Sequence, residues 1–177
     1  MSKILVGYAT RYGSTKEVAE AVAATLRERG LEVDSQPVRQ VRGLDGYRAV
    51  VLGAPLYIGR WLKDMPSFLS HHRQALMERP VAIFTLGPTR AGEGEGQGVR
   101  AQLDQELAKF PWLKPVASEL FGGKYDPAKL RFPDSLLARL PASPLYQMPA
   151  SDVRDWTAIR AWASSLAAKL EPASTQK

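Results

Sequence analysis

The 177-residue sequence predicts an α/β domain built on a parallel sheet, and three observations carry that prediction. Short apolar runs alternate with longer stretches of helical periodicity, the pattern of strands covered on both faces by helices. Segments rich in hydroxyls, aromatics or glycine follow the ends of successive apolar runs, where an open parallel sheet places its ligands. With 45% hydrophobic and 24% charged residues the chain can bury a core, and 14 Gly plus 13 Pro fall below the share that marks disorder. The length suits one domain over residues 1–171, interrupted by an insertion at 122–150 and ending in a flexible tail at 172–177.

The elements follow in order. Lys3–Ala9 is a near-continuous apolar strand. Ser14 and Glu17 have capping-box spacing, Val18, Val22 and Leu26 repeat every fourth residue, and Gly30 ends the helix. Glu32–Val38 reads as an edge strand because Pro37 cannot donate to a ladder. Ala49–Ala54 and Pro80–Leu86 are the third and fourth strands, with a helix over Pro66–Glu78 between them. Gln97–Phe110 carries Val99, Leu103, Leu107 and Phe110 at helical spacing, and Val116–Phe121 is a fifth strand. Asp152 can cap a last helix whose Trp156, Ile159, Ala163, Leu166 and Leu170 form a 3-4-3-4 stripe. Gly122–Ala150 breaks the alternation and is too long for an ordinary connection, which marks it as functional or mobile.

Several function classes are excluded by composition. The chain has no cysteine, hence no disulfide, thiolate metal site, iron–sulfur cluster or cysteine nucleophile. The two histidines, His71 and His72, are neighbours and point about 100° apart on a helix, so no histidine-based metal site is expected. The uncharged apolar stretch Ala49–Gly59 is about half the ~20 residues that span a bilayer, and Met1–Val6 reads as a strand rather than a leader. A cytoplasmic protein is the expectation, with contact at the inner face of the membrane left open. The net charge of +6 favours anionic partners, but no basic run with interleaved aromatics points to nucleic acid.

Three loops carry the chemistry. The first, Thr10, Arg11, Tyr12, Gly13, Ser14 and Thr15, sets hydroxyls at the start of a helix, where unpaired N–H groups and the positive helix end suit a phosphate. It lacks both the Walker and the Gly-x-Gly-x-x-Gly patterns. Without a ligand the same residues would serve as a cap and a solvated turn. The second, Pro55, Leu56, Tyr57, Ile58 and Gly59, followed by Arg60 and Trp61, can offer an aromatic face to a planar ring. Tyr57 is the better ring contact, while Trp61 suits packing under the following helix. The third, Leu86, Gly87, Pro88, Thr89 and Arg90, opens a glycine-rich stretch whose backbone can approach a ligand closely.

Together these loops resemble the flavodoxin-like FMN domains. The resemblance covers about residues 3–121 plus the last helix. It implies a doubly wound, five-stranded parallel sheet in the order 2-1-3-4-5, with FMN as cofactor on the sixteen loop residues just named. Within that group, Phe121–Phe132, Pro133–Leu140 and Asp152–Trp156 are similar to the insertion and last helix of the menaquinone-dependent protoporphyrinogen oxidases. Here the insertion is richer in proline, turning into Pro-Ala-Ser-Pro-Leu-Tyr-Gln-Met-Pro. The resemblance implies protoporphyrinogen dehydrogenation with electrons passed to a quinone, the chemistry residing in the flavin and no catalytic side chain or metal being required. An electron carrier or quinone reductase without a tetrapyrrole substrate, and a flavodoxin-like module without flavin, are the alternatives.

Charge bears on that choice. Arg11, Arg60 and Arg90 lie in or beside the three loops, and positive charge near a flavin stabilises its anionic reduced form, favouring two-electron chemistry. The insertion combines basic Lys124, Lys129 and Arg131 with apolar Leu130, Phe132 and Leu136. Such an excursion suits an anionic leaflet or a carboxylated tetrapyrrole, or it covers the sheet edge. Deleting 126–144 is expected to leave the flavin bound, because the excursion is read as touching no cofactor loop. The oligomeric state is not legible.

Overall fold

The computed structural model describes residues 3–57, 59–87, 95–143, 146–147 and 149–171, with 95–97 as helical backbone only. Ile58, Pro88, Thr89, Arg90 and the tail at 172–177 lie outside the described residues. In chain order the elements begin with β1 (Lys3–Tyr8), α1 (Ser14–Glu28), β2 (Val33–Pro37), β3 (Tyr47–Tyr57) and the short β4 (Arg60–Trp61). Next come α2 (Asp64–His71), α3 (Arg73–Met77), β5 (Val81–Leu86), α4 (Glu95–Ala108) and β6 (Ala117–Phe121). The insertion holds β7 (Lys124–Tyr125), a 3-10 turn at Pro127–Lys129, α5 (Asp134–Leu137) and β8 (Ser151–Asp152), and α6 (Trp156–Leu170) follows.

The main sheet runs β2-β1-β3-β5-β6, all parallel, with β4 folded back antiparallel on the end of β3. Counted without β4, this is the 2-1-3-4-5 order. The two-residue period of a strand explains the apolar runs. Ile4, Val6, Ala49, Val51, Ala82 and Phe84 face α1 and α6, whereas Leu5, Val50, Leu52 and Ile83 face α2 and α4. Both faces are buried, so no position in the run can be polar without a partner. Gly53 is required at its position: a Cβ there would lie 2.0 Å from the Phe84 ring, which packs across the strand.

Three local expectations are corrected. The Ser14–Glu17 box does not form, because Gly13 at φ 91° is the N-cap and Ser14 is already helical. Glu17 turns instead to Arg154. The single helix expected over Pro66–Glu78 is broken at His72, whose buried ring sits 4.6 Å from the Phe68 ring. The last helix is capped by Asp155, which accepts from the Ala158 N–H at 3.0 Å, while Asp152 belongs to β8. The other end of α1 behaves as read: Gly30 at φ 84° closes a Schellman motif, with Gly30 N–H to Arg27 O and Leu31 N–H to Leu26 O.

The insertion is fastened at both ends. β7 and β8 pair antiparallel, setting Lys124 opposite Asp152 and Tyr125 opposite Ser151. Arg154, with only 3% of its side chain exposed, then clips this ribbon to the body. Its guanidinium donates to both Asp152 carboxylate oxygens at 2.9 and 2.8 Å, to Glu17 at 2.8 Å and to the Ser14 carbonyl at 3.3 Å.

Candidate functional site

The carboxyl ends of β1, β3 and β5 lie side by side, as the pairings Tyr8–Gly53 and Pro55–Leu86 require. Their loops therefore share one edge of the sheet. After β1, Thr10 Oγ1 accepts from the Gly13 N–H at 2.9 Å and shapes the turn into α1. Gly13 has no side chain to cap the helix, so its first N–H groups are left for another acceptor. Ser14 opens the helix beside them. Thr15 is fully buried, and its hydroxyl has no partner among the described residues. Leaving a buried hydroxyl unpaired costs about 1–3 kcal/mol, so this atom marks a place where an acceptor belongs.

Pro55, Leu56 and Tyr57 form the end of β3, and the chain then reverses through Gly59 at φ 72° into β4. Trp61 is buried against Phe110, with ring centroids 6.4 Å apart, and donates its indole N–H to Thr85 at 3.3 Å, so it packs rather than faces a ligand. Its backbone N–H reaches the buried Glu106 carboxylate at 3.5 Å. At the end of β5, Leu86 is buried and Gly87 donates its N–H to the Phe121 carbonyl at 2.7 Å, with Val99 pressing on the place of its missing side chain.

Asp134, at the start of α5, joins the loops. Its carboxylate, 3% exposed, accepts from the Tyr12 and Tyr57 hydroxyls and pairs with Arg11 Nε at 2.6 Å. The Arg11 guanidinium lies 5.2 Å from the Tyr57 ring centre and 5.7 Å from that of Tyr12. Burial alone would raise the Asp134 carboxyl, but the two phenols and Arg11 outweigh it and hold it below the ordinary carboxylate range. Burial, then the hydrogen bond to Asp134, push the Tyr57 phenol well above its usual value. Tyr125 is raised by burial and by the neighbouring Tyr12 and Asp134, and its buried hydroxyl has no partner among the described residues.

Two readings of the sequence change here. The insertion does touch the cofactor loops, so removing 126–144 would strip Asp134 from Arg11, Tyr12 and Tyr57. Arg11 is also not an uncompensated cation, since Asp134 neutralises it. Asp134 carried no local signal beyond its place before Leu136 and Leu137; Arg154 was legible only as the basic residue between Asp152 and Asp155.

The remaining candidates sit on the insertion. Lys124 and Leu130 are half-buried, and Lys129 and Arg131 are exposed. The Arg131 backbone N–H reaches the Tyr12 hydroxyl at 3.5 Å, and its guanidinium reaches the Arg11 carbonyl at 3.4 Å. Phe132 is 78% exposed and Leu136 51%, so these side chains do not cover the sheet edge. Among the described residues no acidic or histidine group could hold a metal ion, and no helix is long and apolar enough to cross a membrane.

The family model for the flavodoxin domain matches residues 5–145. The chain belongs to the flavodoxin domain family. A short-chain flavodoxin associated with a PDU bacterial microcompartment superimposes over 97% of this chain and 100% of its own, at 17% identity and a TM-score of 0.61. An archaeal flavodoxin does so over 95% and 98%, at 17% and 0.53. Among characterised sequences, an NAD(P)H dehydrogenase (quinone) of Acidovorax ebreus is 34% identical over 54% of this chain and 61% of its own. The protoporphyrinogen IX dehydrogenase [quinone] of Escherichia coli K12 is 29% identical over 48% of each. The chain thus spans less than two thirds of either relative.

The cofactor of this flavodoxin domain is FMN, and the residues present fit it. The buried Thr15 hydroxyl, Ser14 and the uncapped N–H groups of α1 form the donor set a phosphate needs. Tyr57, at the end of the strand that pairs with the one ending in Leu86, would offer its ring to the flavin.

Proposed function

We propose that this flavodoxin-domain protein is an FMN-dependent oxidoreductase that passes electrons to a quinone, with protoporphyrinogen IX as its substrate. The observation that carries the cofactor site is the fully buried, unpartnered Thr15 hydroxyl at a helix start with no side-chain cap. Likeness to two classes of quinone-dependent dehydrogenase supports the electron acceptor. Bound FMN supplies hydride acceptance and electron release, which side chains cannot.

The chain's own residues have three tasks. Thr10–Thr15 bind the phosphate. Tyr57 and the backbone from Leu86 orient the ring, with Pro55, Leu56 and Gly59 fixing that turn. The insertion excludes water and meets the substrate: Lys124, Lys129 and Arg131 suit carboxylates or lipid phosphates, and Leu130, Phe132 and Leu136 suit an apolar surface. A basic and apolar face of this kind favours a cytoplasmic protein resting on the inner leaflet, where quinones reside. Ile58, Pro88, Thr89 and Arg90 complete the proposed cofactor contacts.

A second reading, oxidation of a nicotinamide cofactor with the same quinone acceptor, is favoured by the relatives at 34 and 31% identity. Both readings are tested on the FMN-loaded protein by following menaquinone reduction with protoporphyrinogen IX or with NADH and NADPH. Turnover with protoporphyrinogen alone supports the first reading and turnover with a nicotinamide alone the second. Turnover with neither, in a yellow protein, leaves an electron carrier.

A further inference from the structure

Asp134 is the one residue of the insertion that reaches both the phosphate loop and the ring loop through its side chain among the described contacts. It sits 122 positions from Tyr12 and 77 from Tyr57 and meets both hydroxyls and Arg11 with a desolvated carboxylate. α5 is only four residues long, and its Leu136 and Leu137 are exposed, so apolar burial does not hold this segment down. The polar ties of Arg131 run to the same loop, at the Tyr12 hydroxyl and the Arg11 carbonyl.

We infer that Asp134 is a positioning residue for the flavin, a latch from the insertion that cancels the Arg11 charge and holds the insertion onto the two loops. The inference rests on the FMN reading above. A buried carboxylate keeps its charge only with such partners, and each partner here belongs to a cofactor loop. The pair is therefore close to neutral as a unit, and the flavin experiences Arg11 only to the extent that Asp134 leaves it uncompensated. Removing either member should move the flavin's electron affinity, and in opposite directions: a lost carboxylate favours the anionic reduced flavin, and a lost guanidinium disfavours it. A latch that served packing alone would have no such signed effect.

The test uses the FMN-loaded full chain as wild type, Asp134→Asn, Arg11→Gln and the double variant. Asp134→Asn keeps the side-chain shape and an oxygen for the phenols but removes the charge. Its two-electron midpoint potential should rise by about 30 mV, a tenfold change in the redox equilibrium, while Arg11→Gln lowers it and the double variant returns near wild type. Limited proteolysis within 126–143 should quicken in Asp134→Asn. Faster proteolysis with potentials unmoved, or moved the same way by both single variants, would reduce Asp134 to a packing residue and overturn the inference. If the protein takes up no FMN, the FMN reading fails, and the latch is decided on the flavin-free chain. There, Asp134→Asn should bring forward the alkaline titration of one phenol, read by ultraviolet absorbance, because Tyr57 loses the neighbouring charge. An unchanged titration with unchanged proteolysis would overturn the latch itself.

Discussion

Replacing Thr15 by Val separates stability from binding, because the two effects have opposite signs. Valine keeps the shape and β-branching of threonine and removes one oxygen. In the chain without ligand that oxygen is fully buried and unpartnered among the described residues, so its removal relieves a desolvation cost of about 1–3 kcal/mol. Valine and threonine have nearly equal helix propensity, so the variant without FMN should be more stable in urea by about 1–3 kcal/mol. With FMN bound as proposed, the same oxygen would donate to a charged phosphate, a bond worth about 1.5–3 kcal/mol. The variant's Kd for FMN should rise about 10- to 100-fold, as tenfold corresponds to about 1.4 kcal/mol. Urea unfolding of the flavin-free protein measures the first effect, and quenching of flavin fluorescence measures the second. A variant less stable than wild type that binds FMN as tightly would refute the placement of the phosphate on Thr15.

Three further outcomes are expected. Gly53→Ala drives a Cβ to within 2.0 Å of the Phe84 ring and should cost about 1–3 kcal/mol or more by overpacking, seen as a fall in Tm; an unchanged Tm would mean that Phe84 has another place to go. Arg154→Gln removes the clip between β8 and α1; because Glu17 and Asp152 are half-exposed and screened, the loss should be on the order of 1–2 kcal/mol in thermal melts, and 1 M salt should shrink the difference. The acid dependence follows from Asp134, whose carboxyl is held below its ordinary value of 3.8, so the stabilisation it confers is present above that pH and is lost as the pH falls through the lower folded value. Protection of residues 126–143 from an acid-tolerant protease should be flat from about pH 7 to 5 and vanish only below about pH 4; loss of protection near pH 6 would contradict a depressed carboxyl.

The sequence by itself determined the sheet and the loops at its carboxyl end, because both are written in local patterns. Apolar runs such as Lys3–Tyr8 and Val81–Leu86 are buried on both faces, and the period of the helices between them records which side faces the sheet. Hydroxyls and glycines at Thr10–Thr15 and Gly59 mark turns whose geometry depends on nearest neighbours. What only the tertiary structure decided is every contact made by a single charged group across a long separation. Asp134 meets Tyr12, Arg154 meets Glu17, and Glu106 meets the Trp61 N–H, and none of these follows a period or a turn rule. Asp152 and Asp155 show the limit clearly: either could cap the last helix by local rules, and the pairing of β7 with β8 drew Asp152 into the ribbon and left the cap to Asp155. A buried carboxylate is placed by whichever donors the finished fold brings to it, so its partners were fixed only when the insertion folded back over the loops.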